Sequence, residues 1–523
     1  MRRRDLAAIL GALVGSGVLG LGALARSADV KPLQPSTVVV AMSAMPETTD
    51  PFVTTDQYSV DVEALLYDPL WYVTPALAPA PDLATAWSTG AGGRVLTVTL
   101  SDRARWTNGR PVVAADVVYS LDRYRGAADR SPVRARLTDI ASVAAPDAHT
   151  VVIRLVQPRS NMPLELAGLP IVPAPASLGA PPPAGALPSV TDGPYRLVRW
   201  NAGGGSVTFA ANAGYFRGAP HVPQIVLRVV PNAADALPEL RRGSVQVAAL
   251  PPSTWVAAGR TPTLSRYRAV DLGVDLIAFD SARGPFDVAR LRTALALATD
   301  RGAIVARAFG GMARVPAGIL PPVGVGASVA PVPYDPAQAR AILAGLGWIL
   351  GPDGVRWRDG RRLAVTVLYP SQSPRLGEAV REAVAGWQAV GVAASARGVP
   401  WSRLSADLAS GRFQAAAIGV AYGPALDAAP LVDGRSMFPP AGDNVARYDN
   451  PVVDALLAHA RTTASPALAL LDQAQALAQV QRDHPYVPLA VGEDLVATTS
   501  RLSGFVLDPA GPDLYQPQRW MYR

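Results

Sequence analysis

The stretch that decides the fold is Pro81–Arg123, PDLATAWSTGAGGRVLTVTLSDRARWTNGRPVVAADVVYSLDR. Its first residues, up to Trp87, have the composition of a short apolar helix, and the Gly-rich turn Gly90–Gly93 follows them. After this turn, apolar residues alternate with threonines from Leu96 to Leu100. Such alternation predicts a β-strand with one buried face.

The second half of the same stretch predicts a turn followed by a helix. Asn108-Gly109 is a strong turn signal. A helix is expected to begin at Ala114 or Ala115, because Asp116 would then lie in the first turn, where a negative charge suits the helix dipole. No catalytic motif occurs in this stretch, so we interpret it as scaffold.

Outward from this stretch, strand-like and helix-like segments alternate along the chain. Val38–Met42, Leu272–Phe279 and Phe413–Val420 are apolar runs of strand length, and Arg375–Val390 has helical periodicity. This alternation predicts a fold of α/β layers. Pro170–Ser189 is rich in Pro and Ala, which predicts an extended connector at the surface.

Composition excludes several classes of function. The chain has 523 residues, of which 49% are hydrophobic and 17% charged, so it can bury a large core and has room for several domains. Its net charge of +7 is small for this length, and no basic run with interleaved aromatic residues follows the N-terminus, which argues against nucleic-acid binding. The absence of cysteine excludes disulfides, thiolate catalysis, cysteine metal sites and lipoprotein anchoring.

The N-terminus predicts an export signal. Arg2-Arg3-Arg4 precedes an apolar run from Leu6 to Ala25, and Ala23-Leu24-Ala25 fits a cleavage site, with Ala28 as the second choice. The signal peptide is therefore expected to cover residues 1–25. Arg3-Arg4 and the glycines of the run are compatible with the twin-arginine route as well as the general one. An uncleaved membrane anchor is the alternative, because about 20 apolar residues can span a bilayer.

Common catalytic and cofactor motifs are missing from the sequence. It contains no GxxxxGK[ST], HExxH or GxSxG, and its only GxGxxG, Gly15–Gly20, lies inside the export signal without a preceding strand. The four histidines are far apart in sequence, which predicts surface or packing roles. We therefore expect no catalytic residue, no metal site and no cofactor.

Seven segments match, in order, the sequence pattern of one family. Each segment is weak alone, but seven in the same order form a specific signal. On these residues the chain resembles the family 5 extracytoplasmic solute-binding proteins of ABC importers, which include dipeptide-, oligopeptide- and nickel-binding proteins. The matching residues are Pro81, Leu83-Ala84, Trp87, Leu100, Trp106, Asn108-Gly109, Pro111, Ala114, Asp116-Val117 and Tyr119-Ser120; Thr191–Tyr195; Asn212, Tyr215-Phe216, Gly218 and Pro220; Gly284–Phe286, Arg290–Arg292, Ala294, Ala298 and Asp300-Arg301; Tyr334–Pro336, Ala339, Leu343 and Gly347-Trp348; Asn444, Tyr448, Asn450-Pro451, Val453-Asp454 and Leu456; and Pro485–Leu489.

The resemblance implies a fold and a set of partners. The fold would be an α/β, two-lobed periplasmic binding protein of type II, cluster C, which closes on its solute by a hinge motion. Lobe I would comprise residues 31–268 plus 488–523, with an extra subdomain over about 60–185, and lobe II residues 269–487. The partners would be a small or peptide-like solute and an inner-membrane ABC permease with its ATPase. A periplasmic monomer without nucleic acid is expected.

The resemblance also locates candidate binding residues. Peptide-binding members carry a carboxylate in the loop after the strand that corresponds to Phe413–Val420, and it pairs with the ligand's amino terminus. This chain has no acid at that place, and Asp427 follows several residues later. Either the solute lacks an α-amino group or Asp427 moves in, because a buried, unpaired ammonium is costly. Tyr422 in this loop is the leading candidate for stacking on the solute, with loop packing as the alternative.

Four further candidates are weaker. Met45 and Glu47 follow the first strand, where a surface or packing role is the simpler interpretation. Trp106 and Trp401 could line the cleft, although tryptophans are more often core residues. Arg290 and Arg292 could bind a carboxylate, but the family pattern carries an arginine at the second position whatever the ligand, so we interpret Arg292 as structural.

Two other functions remain compatible with parts of the sequence. A periplasmic sensor of the same fold would have the same motifs, and neighbouring genes for a histidine kinase rather than a permease would indicate it. A secreted hydrolase would need a Ser/His/Asp site, for which the scattered histidines provide no local signal.

Overall fold

The structure is a computed structural model that describes residues 37–127, 131–178, 187–437, 442–508, 514 and 516–523, so the predicted export signal lies outside the described residues. The strands are β1 Thr37–Met42, β2 Trp71–Val73, β3 Pro79–Pro81, β4 Ala84–Gly90, β5 Val95–Leu100, β6 Ile140–Ala144, β7 Thr150–Leu155, β8 Tyr195–Asn201, β9 Ser206–Ala211, β10 Gln224–Val229, β11 Val247–Ala249, β12 Leu264–Val270, β13 Gly273–Phe279, β14 Ala313–Arg314, β15 Ile349–Leu350, β16 Arg356–Arg358, β17 Arg361–Arg362, β18 Ala364–Pro370, β19 Ala393–Val399, β20 Ala415–Ala421, β21 Tyr486–Thr499, β22 Leu502–Ser503 and β23 Met521–Tyr522. The helices are α1 Gln57–Leu66, α2 Ala114–Arg125, α3 Met162–Leu166, α4 Pro175–Leu178, α5 Ala236–Arg242, α6 Pro252–Ala258, α7 Ala289–Leu297, α8 Arg301–Ala308, α9 Pro336–Gly345, α10 Pro374–Ala389, α11 Trp401–Ala409, α12 Ala429–Val432, α13 Pro451–Thr462 and α14 Pro466–Asp483.

One long strand joins the two halves of the main sheet. The sheet has the order β19-β18-β20-β13-β21-β11-β1-β10-β9-β8, and β12 and β14 also pair with β21. The first part of β21, Tyr486–Ala490, pairs with β13, whereas Glu493–Thr499 pairs with β12. Between them, Gly492 accepts a hydrogen bond of 3.0 Å from the backbone N–H of Asp271, which lies between β12 and β13. The chain therefore crosses between the two halves of the sheet at Asp271 and again at Gly492, and these two crossings lie side by side.

Pro81–Arg123 contributes two strands to a separate four-stranded sheet, β4-β5-β7-β6. The predicted strand is confirmed as β5, but the predicted helical piece ending at Trp87 is wrong, because Ala84–Gly90 is strand β4. Trp87 pairs with Val98 of β5 and packs edge-on against Trp71, with ring centroids 5.2 Å apart. Cross-strand pairing therefore overrides the helical preference of the alanines here.

The predicted helix after the Asn-Gly turn is confirmed as α2, and Asp116 anchors it. This carboxylate is buried and accepts hydrogen bonds from the backbone N–H of Val113 at 3.0 Å and of Ala174 at 2.8 Å. It also accepts one from the indole Nε1 of Trp106 at 3.1 Å. The Asp116 carboxylate thus connects the turn at Trp106, the start of α2 and the segment around Ala174 by hydrogen bonds.

A separate hydrophobic core lies on the half of the main sheet that contains β13, β18 and β20. It packs β13, β18, β20 and the first part of β21 against α7, α9 and α10. Trp387 of α10 is at its centre, and the ring of Phe279 lies with its centroid 5.7 Å away. In the described residues, no helix is both long and apolar enough to cross a membrane.

Candidate solute-binding site

One face of α1 lines a cavity of about 330 Å³. Gln57, Val60, Glu63, Ala64 and Tyr67 all contribute to its wall, and their spacing of three or four residues places them on one side of the helix. Asp56 caps the start of this helix by accepting from the N–H of Ser59 at 2.9 Å. The cavity therefore runs along a helix whose orientation is set by its own cap.

The remaining walls come mainly from loops on the side of β1, with one residue from a loop on the side of β20. Pro424 belongs to the loop after β20, whereas every other lining segment belongs to the first or last part of the chain. The other lining residues are Pro51, Thr54, Asp68, Pro69, Tyr72, Val73, Asp82, Tyr124, Pro132, Val133, Arg136, Ala167–Pro170, Pro194, Tyr215, Arg217, Asp508, Leu514 and Gln516–Gln518. A pocket closed by a single loop from the opposite half has the geometry of a site that hinge motion opens.

Two carboxylates and one arginine line the cavity near the C-terminal end of α1. Asp82 lies 3.0 Å from Nη1 of Arg217, and Asp68 accepts a hydrogen bond of 3.0 Å from the Tyr215 hydroxyl. Burial raises the pKa of Asp82 to about 7 even though Arg217 opposes the rise. Burial, together with the neighbouring Asp82 and Asp192, raises the pKa of Asp68 well above its ordinary value. This end of the cavity therefore holds more acidic side chains than basic ones, and burial favours their protonated forms.

Glu63 is a third acid in the wall, further towards the N-terminal end of α1. It is 3% exposed and accepts a hydrogen bond from the Thr54 hydroxyl. Burial raises the pKa of Glu63 to about 8, because desolvation outweighs the Thr54 hydrogen bond and Asp50 and Asp56 add repulsion. Glu63 is thus mainly protonated at neutral pH.

Replacing Glu63 with glutamine is expected to make stability less dependent on pH. Between the ordinary pKa of 4.5 and about 8, the native carboxyl keeps a proton that the unfolded chain loses, so the free energy of unfolding falls as the pH rises. Glu63→Gln removes this loss and should stabilise the protein at pH 8 by about 1–3 kcal/mol relative to its effect at pH 5. Urea denaturation at pH 5 and pH 8 measures the difference.

The exposed Glu47 provides the matched control. Glu47→Gln makes the same chemical change outside the cavity, so it should keep the wild-type dependence on pH. If the free energy of unfolding changed equally between pH 5 and pH 8 in the wild type and in Glu63→Gln, the assignment of a protonated Glu63 would be contradicted.

Arg136 faces the loop that closes the cavity. Its Nη2 donates to the backbone oxygen of Glu165 at 3.3 Å, and its Nε lies 3.7 Å from the carboxylate of the same residue. A Cβ placed on Gly423 would lie 3.4 Å from Nη1 of Arg136, so the guanidinium packs directly beside the loop after β20. Arg136 therefore supplies a positive group where the two halves meet.

The two loop candidates from the sequence are both engaged by protein atoms. Tyr422 lies two residues before Pro424, which lines the cavity. Its hydroxyl donates to the backbone oxygen of Ile319 at 2.8 Å. Asp427 accepts from Nε and Nη2 of Arg461 at 3.0 and 2.6 Å and from the N–H of Ala429 at 2.9 Å. The carboxylate of Asp427 is thus held away from the cavity wall.

The other candidates lie in different surroundings. Trp106 is buried beside Asp116, Met45 is half-buried against the core, Glu47 is exposed, and Trp401 is exposed at the start of α11. None of the six candidates is among the described residues that line the cavity. Their contact with a bound solute stays a prediction.

The structural role predicted for Arg292 is confirmed. Its guanidinium is buried and donates to the backbone oxygens of Phe286, Asp483 and His484 at 2.5, 2.9 and 3.1 Å. Arg290 is exposed. In the described part of the chain, no group of three or more His, Asp or Glu side chains is placed to hold a metal ion.

Sequence reasoning missed the acids of the cavity. Asp82 lies within Pro81–Arg123, and Glu63 lies in a segment whose helical periodicity is visible in the sequence. The spacing of Gln57, Val60 and Glu63 predicts that they lie on one face of a helix. It does not predict that this face borders a cavity.

Comparison with known proteins decides the family. A sequence model described as "Bacterial extracellular solute-binding proteins, family 5 Middle" matches residues 78–433. The chain belongs to this family. It is the solute-binding component of an ABC import system, and it is a binding protein, not an enzyme.

Relatives and solved structures agree over nearly the whole chain. The glutathione-binding protein GsiB of Salmonella typhimurium is 27% identical over 510 residues, which cover 94% of this chain and 95% of GsiB. NikA from Brucella suis, solved with Fe(III)-EDTA, superimposes with a TM-score of 0.81 at 19% identity and covers 93% of this chain and 100% of its own. AppA from Bacillus subtilis, solved with a nonapeptide, has a TM-score of 0.70 at 22% identity and covers 94% and 100%. The fold is therefore the two-lobed α/β fold of this family.

Proposed function

We propose that this protein is a periplasmic binding protein that captures a peptide-like solute of di- or tripeptide size in the cavity beside α1. The observation that carries the proposal is the cavity itself, which combines acids near the C-terminal end of α1 with Arg136 beside the closing loop. Its volume of about 330 Å³ is at the small end of the ~300–1,000 Å³ typical of ligand pockets. The glutathione-binding relative and the peptide complexes of the same fold support a peptide-like solute.

The route to and from this site follows from the family. The protein would cross the inner membrane by means of a cleaved signal over residues 1–25, act as a monomer without nucleic acid, and deliver its solute to a permease with an ATPase. The small-residue pattern Ala23-Leu24-Ala25 supports a cleaved signal.

The lobes we propose are residues 31–268 plus 488–523 and residues 269–487, with an extra subdomain over about 60–185. The sheet register supports a division close to these bounds. β12 pairs with Glu493–Thr499 of β21 and β13 pairs with Tyr486–Ala490, so β21 changes its partner between Ala490 and Glu493, a few residues after 488. Asp271 and Gly492, joined by a backbone hydrogen bond, lie where the chain crosses between them.

A solute that fits the cavity is expected to raise the melting temperature of the purified protein, because it binds only the folded state. At about 100 times its Kd a ligand adds about 2.7 kcal/mol of stability. A thermal-shift screen of di- and tripeptides, glutathione and nickel chelates, followed by calorimetry, measures this. Val60→Trp, which fills the cavity from the lining face of α1, should abolish the shift.

The surface variant Val452→Trp is the control for this substitution. Val452 is exposed at the start of α13, far in the sequence from the cavity, so the variant should keep the ligand-induced shift. An equal shift in Val60→Trp and wild type would show that the solute binds elsewhere.

A further inference from the structure

The acidic end of the cavity has more acidic side chains than basic ones. Asp68, Asp82 and Asp192 are all buried there, and Arg217 is the one arginine that pairs with them among the described residues. Asp68 donates its backbone N–H to Asp192 at 3.1 Å, so the three carboxylates form one cluster. Burying several carboxyl groups around a single guanidinium favours their protonated forms, so the cluster can take up a cation in exchange for protons.

Three buried oxygens of this cluster have no hydrogen-bond partner among the described residues: Oδ2 of Asp68, Oδ2 of Asp192 and Oδ1 of Asp82. The last of these still lies 3.0 Å from Nη1 of Arg217, as an ion pair. Asp68 and Asp82 also line the cavity, next to the tyrosines Tyr67, Tyr72 and Tyr215. A cation that entered this end would meet two carboxylates and aromatic walls, which together favour positively charged groups.

The loop after β20 provides no such carboxylate. Residues 420–426 contain no acid, and Asp427 is occupied by Arg461 at 2.6 Å. Arg136 lies beside Gly423 and makes this side of the cavity positive. A solute's ammonium group is therefore disfavoured at the loop and favoured at Asp68 and Asp82.

We propose that the ammonium group of the solute binds to Asp68 and Asp82 in the first lobe, with its carboxylate towards Arg136. This deepens the proposed function and rests on it. The missing positive charge of the cluster is supplied by the ligand, so binding lets both carboxylates ionise. A free amino group thus becomes the main requirement for recognition.

Each peptide that raises the melting temperature of the wild-type protein is compared with its N-acetylated and its C-amidated form by calorimetry. N-acetylation should weaken binding by about 30-fold or more, because it leaves buried carboxylates without their partner. Amidation should weaken binding less, because the Arg136 side chain is 33% exposed whereas that of Asp82 is 4% exposed. N-acetylated peptides that bind within threefold of the free ones would overturn the inference and leave the proposed function intact.

The variant Asp82→Asn tests the same assignment from the protein side. The variant should bind the free peptide at least about 30-fold more weakly than the wild type does and should bind the N-acetylated peptide with unchanged affinity. The difference in affinity between the two peptides then disappears. General damage to the fold would weaken both peptides equally, and that outcome would contradict a specific role. Asp359→Asn, at a residue whose side chain is 89% exposed, is the control and should keep the wild-type discrimination.

If Asp82→Asn fails to fold, Asp68→Asn takes its place, and the comparison of peptides on the wild-type protein decides alone. If no peptide in the panel binds the wild type, the proposed function fails first and the inference fails with it.

Discussion

Replacing Trp387 with alanine is expected to lower the free energy of unfolding by about 3–5 kcal/mol. The side chain is 0% exposed and fills the core between α10 and the sheet. Its indole N–H donates to the backbone oxygen of Leu295 and to the hydroxyl of Thr299, both at 3.0 Å. Truncation removes these bonds and leaves a cavity that the rigid surroundings fill only in part.

Urea denaturation followed by circular dichroism measures this loss. Trp401→Ala is the matched control, because the same side chain is 52% exposed at the start of α11 and should cost less than about 1 kcal/mol. Equal losses for the two variants would contradict the description of this core.

Replacing Arg217 with methionine is expected to cost about 1–2 kcal/mol more at pH 8 than at pH 5, because it leaves Asp82 buried without the partner that lies 3.0 Å away. The cost should depend on pH. The pKa of Asp82 is about 7 with Arg217 in place, so below that pH the wild-type carboxyl is already mostly protonated and loses little when the arginine is removed. The penalty should therefore grow as the pH rises through about 7.

Two further variants make this prediction specific. Arg361→Met removes an exposed arginine from β17 and should change stability by less than about 0.5 kcal/mol. The double variant Arg217→Met/Asp82→Asn removes both partners and should recover most of the loss, since no unpaired ion remains. A double variant as unstable as Arg217→Met would show that the loss does not come from the pair.

Local patterns in the sequence predicted the elements that depend on neighbours in the chain. The alternation after Gly93 predicted β5, and Asp116 predicted the start of α2, because side-chain period and helix capping act within a few residues. The piece before Gly90 was predicted as helix and is a strand. Its conformation depends on pairing with β5 and on contact with Trp71, which no local preference encodes.

The candidate site shows the same limit more sharply. Reasoning along the chain favoured residues that follow strands, such as Tyr422 and Asp427, and the structure shows both bound to protein atoms. The cavity instead uses Glu63, Asp68 and Asp82, which are ordinary acids in the sequence. Their significance arises from burial, and burial depends on contacts between segments more than a hundred residues apart.

The order and identity of residues alone were enough to predict the family, the α/β class and the absence of an acid before Asp427 in the loop after Val420. Only the tertiary structure decided that α1 borders a cavity and that Asp68 and Asp82 share one arginine within it. The physical reason is that a carboxylate's charge and availability depend on its desolvation and its partners. The stretch that labels the fold contributes Asp82 to this cavity, where its long-range pairing with Arg217 sets its chemistry.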